Sequence, residues 1–94
     1  MNRNATAMSE PAPKPERRYA DPGLSAREAE VVREWLLAEN KDQVCRKLYL
    51  APGTVNTHLA RARRKYDEAG RPAVTKAQLL ARAVQDRLLD LEDF

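Results

Sequence analysis

Amide, hydroxyl and guanidinium side chains recur at helical spacing between residues 53 and 65, in a pattern that suits recognition of nucleic acid. Four apolar residues of the same stretch share one helical face at about 100° per residue: Val55, Leu59, Ala62 and Tyr66. The opposite face is small near its start and arginine-rich toward its end, so it could approach a major groove closely and reach base edges. We therefore predict that the DNA base-reading residues are Asn56, Thr57, Ala60, Arg61 and Arg64.

Basic residues are concentrated on the same part of the chain. Residues 40–66 contain seven Lys and Arg side chains and a single acidic residue, Asp42, although the net charge of the whole chain is only +3. Neutralisation of phosphates supplies nonspecific affinity, so this concentration favours nucleic acid over an ordinary solvated helix face. The predicted DNA phosphate contacts are Lys41, Arg46, Lys47, Gly53, Thr54, His58, Arg63 and Lys65.

The remaining chemistry is sparse. The chain has one cysteine, Cys45, and one histidine, His58. These leave little with which to assemble a catalytic or zinc site, so we expect no enzymatic activity, no metal and no cofactor. No apolar run is long enough to span a membrane, and the N-terminus lacks the apolar core of a signal peptide. The expected location is the cytoplasm, in association with the nucleoid.

The starts of four helices are marked by capping signatures and by one proline-glycine pair, because proline is tolerated in the first turn of a helix. The pairs are Ser25 with Glu28, Asn40 with Gln43, Pro52 with Gly53, and Thr75 with Gln78. A turn near residues 49–51 joins the second and third helices into a helix-turn-helix. The expected fold is all-α, a small four-helix domain with a central helix-turn-helix, in which a recognition helix at about residues 52–67 enters the major groove.

The first 23 residues differ from the rest in composition. They contain four of the six prolines and show no apolar period, so we predict a disordered N-terminal arm or linker over 1–23 and a folded domain over 24–94. A plain tether is the favoured role for this arm. The alternative is a basic arm that touches phosphates through Lys14, Arg17 and Arg18.

Two motifs together resemble the LuxR-type (GerE-type) DNA-binding domain of bacterial transcription regulators. The stretch LSAREAEVV from Leu24 to Val32 is similar to the family pattern L-[ST]-x-R-E-x-E-V-[LV], and TVNTH at residues 54–58 is similar to T-V-K-x-H, with Lys65 at the family spacing. The resemblance covers residues 24–65. It implies a LuxR-type fold, sequence-specific binding of double-stranded DNA and regulation of transcription. Ala51 replaces the usual serine cap, and the 66–74 connection is longer than in the family.

The fourth helix has an apolar stripe that we predict to face the core, formed by Ala77, Leu80, Ala81, Val84 and Leu88. The resemblance implies that this helix commonly provides the contact of a homodimer. We therefore predict a dimer interface at Leu79 and Ala83, which lie beside the stripe, while the alternative that they widen the core stays open. The acidic tail from Asp86 is expected to point away from DNA.

A second class of function competes with DNA recognition. The basic helix could bind an acidic protein partner, as in a module similar to region 4 of sigma factors, and RNA polymerase is a further candidate partner. Sigma region 4 does not require His58 at this spacing or a capped fourth helix, so DNA binding is favoured.

Overall fold

Four α-helices and a short terminal turn make up the part of the chain that the computed structural model describes, residues 19–94. The helices are α1 (Ala26–Leu37), α2 (Lys41–Leu48), α3 (Pro52–Glu68) and α4 (Lys76–Gln85), followed by a 3-10 helix at Leu91–Asp93. Within residues 19–94 there is no strand. The predicted all-α fold with four helices is confirmed. Residues 1–18, which include Lys14, Arg17 and Arg18 of the predicted basic arm, lie outside the described residues.

The helix starts follow the capping signatures of the sequence. At α1, the Ser25 hydroxyl accepts the Glu28 N–H at 3.0 Å, and the Glu28 carboxylate accepts the Ser25 N–H at 2.9 Å. Thr75 and Gln78 form the same reciprocal pair at α4. Such caps satisfy N–H groups that have no acceptor within the helix, so the local sequence defines where these helices begin.

The turn of the helix-turn-helix depends on one residue in the left-handed region. Tyr49 ends α2 with φ 57° and ψ 47°, and its side chain is 93% exposed. The Leu50 N–H returns to the Cys45 carbonyl at 3.0 Å. The chain then enters α3 at Pro52 after an extended Ala51. The pair Pro52-Gly53 therefore opens the third helix, as predicted.

The core lies between α1 and the buried side of α3, with α2 packed on both of these helices and α4 packed on α1. Its largest fully buried side chains are Tyr66, Leu79, Val31, Val32, Val44 and Val55. Leu59 and Ala62 complete the buried stripe of α3. This stripe matches the one predicted from the period, so the opposite side of α3 is the side left for solvent or a partner.

The buried side of α4 differs from the prediction. Leu79 and Ala83 have no accessible surface, whereas Ala77 and Ala81 are exposed and Leu80 is half-buried. A side chain without accessible surface cannot contact a second copy of the chain, so the predicted dimer contact at Leu79 and Ala83 is wrong. The predicted dimer positions therefore belong to the core, and the predicted core stripe is partly exposed.

A buried ion pair fixes the connection between α3 and α4. Arg71 is 6% exposed, and its guanidinium contacts both oxygens of Asp86 at 2.8 and 3.1 Å. The Tyr66 hydroxyl donates to the same carboxylate at 2.9 Å. Burial and the adjacent Asp86 carboxylate raise the pKa of Tyr66, so its hydroxyl remains a donor. Asp86 therefore does not belong to a free acidic tail, because it is the counter-ion of Arg71.

Residues just before the predicted domain start also pack on the domain. Arg71 donates to the Ala20 carbonyl at 2.7 Å, and its guanidinium lies 5.0 Å from the centre of the Tyr19 ring. The Gly23 carbonyl accepts from Lys65 at 3.3 Å. The ordered domain therefore includes residues 19–23, which the composition had assigned to a disordered arm. Proline content indicated a linker here, but contacts with residues far along the chain hold this segment.

Candidate nucleic-acid interface

The outer face of α3, opposite its buried stripe, is exposed and is not part of the core. All five predicted base-reading residues are exposed, as is Gly53 one turn before them: Asn56, Thr57, Ala60, Arg61 and Arg64. The Thr57 hydroxyl donates to the Gly53 carbonyl at 2.9 Å, so its proton is used within the helix while its methyl group and lone pairs remain available. The structure thus brings the predicted base-reading set together on one surface of a helix whose other side is buried.

The first turn of α3 offers uncapped backbone donors. Its N-cap residue, Ala51, forms no side-chain hydrogen bond, and Pro52 has no N–H. No atom lies within 4 Å of the position that a Cβ on Gly53 would occupy, so this point of the backbone is open to a close approach. N–H groups at a helix start attract phosphate through hydrogen bonds and the helix dipole. The Thr54 N–H already donates to the Ala51 carbonyl at 3.0 Å, so the groups of this turn that a phosphate could contact are the Gly53 N–H and the side chain of the exposed Thr54.

Two predicted phosphate contacts on α2 are exposed cations that each pair with a carboxylate. The Arg46 side chain is 67% exposed and pairs with Asp42 one helical turn away, and Lys47 is 64% exposed and lies 2.9 Å from Glu34. The Arg46–Asp42 pair is exposed on both sides and contributes about 0–1 kcal/mol, so a DNA phosphate can replace Asp42 at little cost. Lys47 is exposed as well, but its partner Glu34 is only 14% exposed, so replacing that carboxylate leaves it largely buried without its partner and costs more.

Lys65, by contrast, is half-buried and pairs with a buried carboxylate. Its ammonium group lies 2.7 Å from the Glu28 carboxylate, whose side chain is only 6% exposed. Burial raises the pKa of Glu28, but the hydrogen bonds from Lys65 and from the Ser25 N–H, with the charge of Lys65, leave that pKa below its ordinary value. The phosphate contact at Lys65 stays a prediction, and in this structure the charge of Lys65 neutralises a buried carboxylate.

Arg63 is also a structural residue. Its guanidinium donates to the Ala73 carbonyl at 2.7 Å and to the Val74 carbonyl, and it lies 5.3 Å from the centre of the Trp35 ring. These contacts tie the middle of α3 to the segment that leads into α4. The phosphate contact at Arg63 stays a prediction, because one nitrogen of its guanidinium makes both of these hydrogen bonds.

His58 lies on the side of α3 that borders the core. It is half-buried, and its Nδ1 is inaccessible to solvent and has no hydrogen-bond partner among residues 19–94. A phosphate cannot reach Nδ1 in this arrangement. Contact through the other ring nitrogen stays a prediction.

The structure also adds a group of residues that the sequence pattern did not indicate. The ammonium groups of Lys41 and Lys76 lie 6.0 and 4.6 Å from the centre of the Trp35 ring, on which Arg63 also packs. We call these four residues the tryptophan patch. Lys41 was a predicted phosphate contact, but Lys76 and Trp35 carried no local signal, because three different helices bring them together.

Residues 22–76 match the model of the family described as bacterial regulatory proteins, luxR family. The chain belongs to the luxR family. The matched segment contains α1, α2 and α3 and ends at the first residue of α4, so the outer face of α3 lies in the helix-turn-helix of a family of DNA-binding transcription regulators. The family is not an enzyme class.

This luxR-family chain is also similar to curated relatives. Two proteins named "Probable transcriptional regulatory protein NarL", from Mycobacterium tuberculosis strains CDC 1551 / Oshkosh and ATCC 25618 / H37Rv, are each 38% identical to it over 69 residues. The alignment covers 73% of this chain and 30% of each relative. The chain therefore spans about a third of the length of the relatives it matches. No solved structure matches the chain.

Two further observations concern the described residues. No helix between residues 19 and 94 is long and apolar enough to cross a membrane. In the same part of the chain, no three His, Cys, Asp or Glu side chains are grouped in a way that could hold a metal ion.

Proposed function

We propose that this luxR-family domain regulates transcription by binding double-stranded DNA sequence-specifically, with α3 in the major groove. The observation that carries the proposal is the contrast between the two sides of α3. Val55, Leu59, Ala62 and Tyr66 anchor one side in the core, while the exposed side is small at its start and basic at its end. A rigid helix with such a face can lie deep in a groove and present side chains to base edges.

The exposed side chains suit distinct base edges. Asn56 can pair with adenine through both N6 and N7, and Arg61 and Arg64 can pair with O6 and N7 of guanine. The Thr57 methyl group can contact the methyl group of thymine, and Ala60 permits close approach. The weak pair between Arg64 and Glu68, at 4.0 Å, does not withhold Arg64 from DNA.

The phosphate contacts flank this face. We assign them to Lys41, Arg46 and Lys47 and to the first turn of α3 at Gly53 and Thr54. These residues are exposed. Arg46 and Lys47 each pair with a carboxylate that a phosphate would have to replace, and the first turn of α3 supplies the Gly53 N–H and the Thr54 side chain. Phosphate contacts fix the position of the helix on the duplex, and base contacts supply the specificity.

The proposed homodimer uses the partly exposed stripe of α4 and the residues after it. Ala77 and Ala81 are exposed, whereas Leu80, Val84 and Leu88 are half-buried against the core. A second copy that packs on this stripe would place two α3 helices on two half-sites. Leu80→Glu should then reduce the molecular mass measured by sedimentation to that of a monomer while the helical content stays unchanged. A parent protein that is already monomeric, both free and on DNA, would contradict the dimer. A contact with RNA polymerase stays a prediction.

Competitive selection from a randomised duplex pool tests base reading by α3. Asn56→Ala should weaken binding to the preferred sequence by about 1–3 kcal/mol and hardly affect random duplex, because it removes one bidentate base contact. Arg46→Ala is the matched control, since loss of a phosphate contact should weaken binding to all sequences alike. If Asn56→Ala also loses affinity uniformly and selects the parent sequences, α3 does not read bases at Asn56.

A further inference from the structure

We infer that Lys41 and Lys76, held over the indole of Trp35, bind the DNA phosphate backbone that borders the groove occupied by α3. The inference rests on the proposed DNA binding and adds an anchor on α4 to it. Four helices supply the tryptophan patch. Trp35 comes from the last turn of α1 and Arg63 from α3, while Lys41 and Lys76 are the first residues of α2 and α4.

The geometry of the patch is defined by the indole ring. Trp35 is half-buried and packs against the core, so its ring is a fixed platform. The Lys76 ammonium lies 4.6 Å from the ring centre and the Lys41 ammonium 6.0 Å, within the range of attraction between a cation and an aromatic face. Both lysines are exposed. Two mobile side chains are thus gathered at one point of the surface.

The electrostatics of the patch distinguish it from the other basic residues. Arg46, Lys47 and Arg64 each have a carboxylate within ion-pair distance. Among residues 19–94, no carboxylate lies within that distance of Lys41 or Lys76. The guanidinium of Arg63 adds a third positive charge at the same ring. Like charges brought together without a counter-ion repel one another, and a bound phosphate would relieve this repulsion.

The patch lies beside the proposed base-reading surface. Arg63 and Asn56 are seven residues apart on α3, which is two helical turns, so they lie on the same side of that helix. Because Arg63 packs on the Trp35 ring, the ring and its two lysines border the Asn56 side of the outer face. The starts of α2 and α4 also direct their positive dipole ends to this region.

The position of the tryptophan patch beside the outer face of α3 indicates which ligand it binds. A duplex whose major groove holds α3 presents phosphate backbone along both sides of that helix. The patch is placed to meet the backbone on one side, whereas the first turn of α3 and the exposed cations of α2 meet phosphates elsewhere. We therefore commit to DNA phosphate rather than to an acidic protein surface.

The first experiment measures how affinity depends on salt. Each neutralised phosphate contributes about −0.9 to the slope of log K against log salt, so Lys76→Gln should make the slope less negative by about 1 on specific and random duplex alike. Lys76→Arg keeps the charge and should retain the parent slope. Arg87→Gln is the control, since it removes an exposed cation beyond the other end of α4 and should leave the slope unchanged.

The second experiment identifies the phosphate. Single phosphates bordering the preferred sequence are replaced by neutral methylphosphonates, and parent and Lys76→Gln are compared at each position. At the phosphate bound by Lys76, the replacement should weaken the parent but not the variant, because the contact is already lost. Lys41→Gln should show the same insensitivity at that phosphate or at its neighbour.

The outcomes separate this inference from the proposed function. In one outcome, the parent selects a DNA sequence while Lys76→Gln has the same salt slope and the same loss of affinity at every methylphosphonate. In that case Lys76 does not bind a phosphate, and the proposed DNA binding stands. If the variants lose binding only to an acidic protein, the occupant is that protein and the DNA assignment of the patch is wrong. If the parent shows no salt-dependent binding to any duplex, the proposed function and the inference both fail.

Discussion

Arg64 and Lys65 are adjacent cations on α3, yet they occupy opposite environments. Arg64 is 65% exposed and lies 4.0 Å from an exposed carboxylate, Glu68. Lys65 is 31% exposed and lies 2.7 Å from Glu28, which is buried. One step along a helix turns a side chain by about 100°, which is enough to change a residue that faces solvent into one that holds the fold. The number of basic residues on a helix therefore overstates the positive charge that is available to DNA.

The same division separates neighbours on α4. Leu79 has no accessible surface, whereas Leu80 is half-buried on the partly open stripe. The family resemblance indicated that α4 serves a dimer, but it did not indicate which side of α4 is open. In both helices, two adjacent residues of similar type differ in role. Lys65 and Leu79 make contacts within the fold, whereas Arg64 and Leu80 remain at least partly accessible.

The largest effect is expected at Leu79. Leu79→Glu places a carboxylate in the core without a partner, so the free energy of unfolding should fall by more than about 4 kcal/mol, enough to unfold a small domain. Circular dichroism during urea denaturation measures this loss. Leu80→Glu is the matched control and should still unfold cooperatively. If both variants were equally stable, the assignment of Leu79 to the core would be wrong.

A smaller effect separates Lys65 from Arg64. Lys65→Met leaves the Glu28 carboxylate buried without its ammonium partner, so the free energy of unfolding should fall by about 1–3 kcal/mol. Arg64→Met should change stability by no more than about 0.5 kcal/mol and should instead weaken DNA binding. Urea denaturation and binding titrations, both at a temperature where each variant is folded, measure the two quantities. A stable Lys65→Met with reduced salt dependence would support Lys65 as a phosphate contact instead.

The smallest effect is a pH dependence. The pKa of Glu28 is lower in the folded protein than its ordinary value of 4.5, so ionised Glu28 contributes stability above that value. This contribution should be lost as the pH falls below 4.5 and through the lowered pKa. In Lys65→Met, burial still raises the pKa of Glu28, but the ammonium group that lowers it is gone. The pKa of Glu28 should therefore rise, and the loss of stability that this group causes at acid pH should shrink or reverse in sign. Denaturation curves across this pH range, compared with those of Glu28→Gln, provide the measurement.

Local signals predicted the parts of the fold that depend on neighbouring residues. The capping pairs at Ser25 and Thr75 lie within a single helical turn, and the buried stripe of α3 follows from spacings of three and four residues. The exposure of the outer face of α3 follows from the same period. These features were predictable because their physical causes act over a few residues.

Long-range partners were not predictable in this way. The Lys65–Glu28 pair spans 37 residues, the Arg71–Asp86 pair spans 15, and the contact of Arg71 with Ala20 spans 51. Sequence alone showed basic residues near a recognition helix and an acidic C-terminal segment. It contained no period or motif that pairs one residue with another at these separations, so the intramolecular partners of Arg63, Lys65 and Asp86 were not predicted.

By itself, the sequence determined the family, the four helices, the helix-turn-helix and the side of α3 that faces away from the core. The tertiary structure decided which cations remain available, which side of α4 is open, and that Lys41 and Lys76 meet over Trp35. The physical reason is that helix capping and amphipathic period are local. The availability of a charge or an apolar side chain depends instead on what the rest of the chain places beside it.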